Sequence, residues 1–216
     1  MYFVGREREM REIKRTLEEG NNVIVSGKFG MGRTSLIKHI ADTHDQWRFI
    51  FLDFSKPPGH VCNHLLVELF PKRRSGREYV KYKSSRFQIL TRDLEDNRKH
   101  ILVLDDIAKL TSPKLDLLRH LTWESRFLFI AIVESFLPRN DLFQLRTWLN
   151  PSVMISLRRL NIRDGVEFFK RYAKVHHLDW TESQITGLAM AAGGYPLRMK
   201  EISARELQGH TDGKPV

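Results

Sequence analysis

The segment Gly27-Lys28-Phe29-Gly30-Met31-Gly32-Arg33-Thr34 limits what this chain can fold into more than any other eight residues in it. The apolar run before it, 22–26, predicts a short buried strand. After it, Leu36, Ile37 and Ile40 share one face of a helix running from Thr34 towards Ala41. Strand, glycine loop and helix in that order form a phosphate cradle. Residues without a Cβ let backbone amides approach oxygens closely, and the helix turns its positive N-terminus to the same anion. The spacing is that of a Walker A loop, with Thr34 as the hydroxyl for magnesium, Ser35 next to it, and Arg33 in the position where lysine is usual. Arginine keeps the charge, but its planar guanidinium is no steric copy of an ammonium. The loop therefore predicts phosphate binding more firmly than efficient hydrolysis. Lys28 reads either as a solvated loop lysine or as a second cation directed at phosphate, within the site or across a dimer.

A second chemical element follows about seventy residues later. Ile101-Leu102-Val103-Leu104 is suited to a strand buried on both faces, and it ends in Asp105-Asp106. This resembles a Walker B strand: Asp105 would hold magnesium through water, and Asp106 stands where AAA+ ATPases usually have the longer glutamate to polarise the attacking water. The remaining pattern alternates short apolar strands (48–54, 127–133 and, briefly, 153–155) with helical segments, including an amphipathic opening helix built on Met10, Ile13 and Leu17 and a helix over about 84–96. Such alternation predicts an α/β fold with a largely parallel sheet flanked by helices. After residue 160 the pattern is wholly helical (163–176, 181–192 and 196–207). The expected organisation is a core over 1–160, a small all-α lid over 161–207 and a flexible tail over 208–216.

Composition narrows the function classes. The longest apolar run, 127–133, is far shorter than the roughly 18 residues a membrane span needs. The N-terminus turns charged too soon for a secretory signal, so a cytoplasmic location is expected. One cysteine, Cys62, permits neither an internal disulfide nor a thiolate metal cluster. The formal charge is +10, and much of it is concentrated between Pro71 and Arg92, where eight basic residues face one acid, Glu78. A run of this kind is either a solvated face or a contact surface for a polyanion. Lys72, Arg73, Arg74, Arg77, Lys81 and Lys83, interleaved with Tyr79 and Tyr82, are the candidates for the second reading.

Phe3-Val4-Gly5-Arg6-Glu7 ahead of the first helix, the two Walker elements and Gly193-Gly194-Tyr195-Pro196-Leu197-Arg198 together resemble the P-loop ATPases of the AAA+ and STAND kind, especially the initiator-like members. The likeness runs over about 3–207. It implies ATP and magnesium as ligands, with Val4, Gly5 and Arg6 near the adenine and Pro196 beside the base. Arg198 would be the sensor 2 arginine. It further implies a polar sensor 1, for which Ser135 at the end of 127–133 is the candidate, and an arginine finger acting on a neighbouring subunit, Arg146, with Arg139 as the other option. Lys28 is similar to the additional lysine of the ParA and MinD ATPases. The basic stretch falls where transposition-regulator ATPases of the TnsC and MuB type contact the DNA backbone.

The resemblance leads to one expectation ahead of the others: an ATP-dependent, slowly hydrolysing ATPase that assembles as a ring or filament on duplex DNA without regard to sequence, with a transposase or similar protein as a further partner. Two alternatives stay open. One is a STAND-type signalling switch, and the other is a pseudo-ATPase scaffold that binds nucleotide without turnover.

Overall fold

The computed structural model describes residues 3–71, 80–94, 96–123 and 125–212, and the backbone alone over 209–212. Five strands, β1 (Asn22–Gly27), β2 (Trp47–Asp53), β3 (Lys99–Ile107), β4 (Leu128–Glu134) and β5 (Ser152–Ser156), form one sheet in the order β2-β3-β4-β1-β5. Every neighbouring pair is parallel. A parallel sheet needs helices on both faces, and the alternation of side chains along β1 shows how they are shared out. Val23 and Val25 point into a cluster with Ile13 and Leu17 of α1 (Glu7–Glu18) and Leu36, Ile37 and Ile40 of α2 (Arg33–Asp42). Ile24, between them, joins the opposite cluster. There it packs with residues of α3 (Pro58–Leu69), α4 (Tyr82–Thr91), α5 (Ser112–Trp123) and α6 (Arg139–Trp148). Ile101, Leu102, Val103 and Leu104 of β3 are wholly buried, each worth about 1.5–3 kcal/mol relative to an exposed position.

Beyond β5 the chain forms the expected lid: α7 (Ile162–His176), α8 (Glu182–Ala192) and α9 (Pro196–Asp212) around Phe168, Phe169, Ile185, Ala189 and Met199. Its boundaries follow from local chemistry. The Asn161 side chain accepts from the Asp164 amide at the start of α7, and Thr181 with Gln184 makes a reciprocal capping box on α8. Gly193 ends α8 in the left-handed conformation. Gly194, also at positive φ, lies so close to the Leu160 backbone that a Cβ there would collide with it. The turn before α9 is thereby seated on the junction of core and lid.

Three boundaries differ from the sequence expectation. The helix expected to run from about 84 to 96 begins at Tyr82 and ends at Thr91. Further on, Asp96 accepts from the backbone amide and guanidinium of Arg98, a local bond that competes with helix. The third strand is longer than its apolar run and carries Asp105 and Asp106 within it. The last helix continues through Asp212, so 208–212 is helical where a frayed tail is expected.

Candidate functional site

In a parallel sheet the useful crevice lies beyond the carboxyl ends of the strands, where neighbouring connections diverge. Here β4 lies between β1 and β3 and sets the arrangement. Gly27 is in register with Glu134, and Asp53 with Asp105. The glycine loop leaves β1 at that edge, turns through Gly30 (φ 78°) and Gly32 (φ 81°), and enters α2 at Arg33. Positive φ is a conformation that favours glycine, so the loop's shape follows from its composition. The first turn of α2 carries no acid, which leaves its positive end uncompensated. Lys28 and Phe29 are exposed on the loop.

Thr34 donates its hydroxyl to Asp105, bringing the two Walker elements together. Arg33 is turned away from the loop's open side. It is buried, and it donates to the Val133 carbonyl and to the Glu134 carboxylate at the end of β4. The second oxygen of Glu134 is buried and, among the described residues, has no hydrogen-bond partner. Asp106 stands beside this pair at φ 58°. Partial burial pushes its carboxyl above the ordinary aspartate value, reinforced by the negative charges of Asp105, Asp53 and Glu134 and opposed by Arg33. An acid in that electrostatic setting is closer to a proton acceptor than an isolated aspartate is.

A cavity of about 160 Å³ opens on the other side of the loop. Its walls come from three parts of the chain: Phe3, Val4 and Arg6 before α1; Gly30, Met31, Gly32 and Ser35 of the loop and α2; and Leu160, Phe168, Pro196, Leu197, Met199 and Lys200 at the lid. Arg6 ties these walls together from a buried position, donating to the Arg158 carbonyl at 2.5 Å, the Met31 carbonyl at 3.4 Å and Glu9 at 3.0 Å. Phe3 stacks on His39 of α2 with ring centroids 4.3 Å apart. The Tyr195 hydroxyl donates to the Phe29 carbonyl, and a Cβ on Gly30 would fall 2.8 Å from that of Leu197. Lid and loop are thus in direct contact.

Of the residues expected to hold nucleotide, the structure brings Val4, Arg6, Gly30, Met31, Gly32, Ser35 and Pro196 around this cavity. Gly5 is buried behind them against Asp164 and Leu160. Arg198 is exposed and forms no part of the wall, whereas Lys200 does. Two residues along a helix rotate a side chain by about 200°, which takes Arg198 off the face that carries Leu197 and Lys200. Ser135 is exposed in the turn after β4, and Glu134 is the polar group that meets Arg33. Arg139 and Arg146 lie with the exposed Phe143 along a surface groove on α6. Lys81 and Lys83 are exposed at the start of α4; Lys72, Arg73, Arg74 and Arg77 lie outside the described residues. Glu134, Lys200 and the Phe3–His39 stack are absent from the sequence expectation.

Residues 2–130 match the family described as AAA ATPase domain. No curated protein sequence matches the chain. Among solved structures, it is similar to the Orc1 protein of Aeropyrum pernix in complex with DNA, with TM-score 0.66 at 15% identity, covering 95% of this chain and 62% of that one. A RuvB mutant of Thermotoga maritima gives 0.59 at 18% identity, covering 94% and 62%. The Hsp104:casein complex of S. cerevisiae gives 0.63 at 17%, covering 95% and 37%. The chain therefore spans less than two thirds of the length of these relatives, and at such identities the likeness is one of fold. No helix among the described residues is long and apolar enough to cross a membrane.

Proposed function

Because the chain belongs to the AAA ATPase domain family, we propose that it binds ATP with magnesium at the carboxyl edge of the sheet and uses the nucleotide to govern its own assembly on duplex DNA. The observation that carries the nucleotide part is the cavity walled jointly by the N-terminal segment, the glycine loop and the lid. An apolar slot of that kind suits a base, with the phosphates led onto the amides of residues 27–34. The residues present fit magnesium as well: the Thr34 hydroxyl and the Asp105 carboxylate, hydrogen-bonded to each other, are the hard oxygen donors that would hold it. Bound magnesium supplies charge neutralisation at the terminal phosphates.

The DNA part rests on the basic balance of the chain, on Lys81 and Lys83 being exposed, and on the Orc1–DNA likeness. Contacts from lysines of this kind are to phosphates, insensitive to base sequence and sensitive to salt. Copies would meet through the α6 face, with Arg146 or Arg139 reaching the neighbour's nucleotide. In its transposition-regulator form the proposal adds a transposase as partner. Turnover is slow in this reading, through Asp106 as the group that orients water. A second reading, a nucleotide-binding scaffold without turnover, draws on one specific observation: the Arg33 cation of the glycine loop is already paired with Glu134.

Electron microscopy of the protein with duplex DNA, with and without a non-hydrolysable ATP analogue, tests the assembly reading. Ordered rings or filaments are expected only with both ligands; DNA binding indifferent to nucleotide would remove it. Phosphate release at background in the presence of DNA would leave the scaffold reading in its place.

A further inference from the structure

We propose that Glu134 is a resident anion for Arg33, and that a nucleoside triphosphate binds by displacing this carboxylate from the guanidinium. The inference rests on the nucleotide reading and specifies how its phosphate site is gated.

Arg33 follows Gly32 directly and is the first residue of α2, so its backbone belongs to the phosphate cradle. Its guanidinium does not. It reaches to the end of β4, where one terminal nitrogen donates to the Val133 carbonyl and the other to Glu134. Both side chains are largely withdrawn from water, 9% and 13% exposed. The parallel register places Glu134 opposite Gly27, at the foot of the loop. A guanidinium tied down there leaves the cradle without its principal side-chain cation.

Two features mark the pair as exchangeable rather than as a permanent strut. A structural guanidinium–carboxylate pair is commonly bidentate and uses both carboxylate oxygens. Here the second oxygen of Glu134 is buried and unpartnered among the described residues, so the carboxylate is only half satisfied. The surroundings are also already rich in negative charge: Asp53 and Asp105 stand side by side in register at the ends of β2 and β3, and Asp106 follows directly. A further anion brought to this edge meets repulsion unless Arg33 turns to it. Both terminal nitrogens of the guanidinium are engaged at the end of β4, so turning them to a phosphate in the cradle means withdrawing them from Val133 and Glu134. Phosphate and Glu134 therefore compete for Arg33, and triphosphate affinity is set by the difference between the two.

The test is Glu134→Gln, which keeps the shape and removes the competing charge. Titration calorimetry with magnesium and ATPγS is expected to show affinity tightened at least about tenfold over the wild type, the scale of one hydrogen bond to a charged group. Magnesium-ADP should gain less, because the side chain at this loop position serves the β- and γ-phosphates. The melting temperature of the nucleotide-free variant should fall, since a buried charge has lost its partner. Lower stability together with tighter binding is a combination that a purely structural glutamate does not produce. In the double variant Arg33→Met with Glu134→Gln the gain must vanish; a gain that persists without Arg33 assigns the effect to general charge and overturns the proposal. Equal or weaker ATPγS binding by Glu134→Gln, with the wild type binding normally, also overturns it while leaving the nucleotide reading intact. Failure of wild type and variant to bind either nucleotide removes both. If Glu134→Gln does not fold, Glu134→Asp shortens the reach to Arg33 and carries the same expectation at smaller size.

Discussion

Thr34 donates its hydroxyl to Asp105 at 3.1 Å from one carboxylate oxygen and 3.0 Å from the other, although 71 positions separate them in the chain. A hydroxyl and a carboxylate held this way suit a divalent cation, since both are hard oxygen donors. Thr34→Val and Asp105→Asn should each abolish most of the advantage that magnesium gives to nucleotide binding. The check is the ratio of dissociation constants with magnesium and with EDTA, which should approach unity in both variants. A ratio unchanged from wild type would place the ion elsewhere.

Arg6 joins three segments through two carbonyls and a carboxylate that it reaches from its buried position. Arg6→Met keeps the bulk of the side chain and leaves those acceptors without this donor, at a cost of about 2–3 kcal/mol. For a chain of this size that corresponds to a melting temperature lower by roughly 5–10 °C. Nucleotide should restore part of the loss if it occupies the proposed cavity, whose walls come from the same parts of the chain. Differential scanning fluorimetry with and without ATPγS reads both effects.

His100 is buried at the start of β3, near Arg48, Asp96, Arg98 and the Phe127 ring. Burial, and then Arg48, hold its pKa below the ordinary histidine value, against the opposing pull of Asp96. Below about pH 6.5 the unfolded chain therefore binds a proton that the folded chain does not. The stability that the neutral imidazole contributes is complete above that pH and is lost as pH falls through the lower, folded value. Urea midpoints at pH 7.5 and 5.5 should differ more for wild type than for His100→Phe. Parallel slopes in the two proteins would assign the acid sensitivity to other groups.

Of the six basic residues named as candidates for DNA contact, Lys81 and Lys83 are the two that lie among the described residues. If both meet phosphates, changing them to alanine should weaken duplex binding for all sequences alike. The slope of log affinity against log salt should become shallower by roughly 2, about 0.9 for each phosphate that is no longer neutralised. Fluorescence anisotropy over a salt series measures it. Reduced affinity with an unaltered slope would mean that the lysines act through folding or assembly.

What the sequence made legible was chemistry carried by neighbours in the chain. The glycine loop, Thr34 and the strand bearing Asp105 need only local spacing and an apolar run to be recognised. Glu134 could not be found that way. Its importance depends on β4 entering the sheet beside β1, with Gly27 opposite it, and nothing within 128–134 announces that register. Ser135, the polar residue expected at the strand end, lies one position beyond Glu134, in the exposed turn where β4 has already ended. The lid shows the helical version of the same limit. Its glycine-proline turn was recognisable, but which of Arg198 and Lys200 borders the cavity depends on how α9 rotates against the loop, and that is set by packing of Leu197 and Met199. The stack of Phe3 on His39 joins two segments whose proximity only the finished sheet creates.

The end of β4 and the start of α6 are joined only by residues 135–138. That connector is taut: the Leu137 amide donates back to the Glu134 carbonyl at 3.1 Å, Leu137 is buried, and the Leu142 amide donates to the Pro138 carbonyl at 2.9 Å. These contacts tie Glu134 closely to the start of α6, whose groove carries Arg139, Phe143 and Arg146. The strand tip is in effect a short lever, with its handle on the protein's surface and its point against the loop cation that is held back. If phosphate draws Arg33 away from Glu134 as proposed, a body resting on that handle would be placed to influence the exchange without touching the loop.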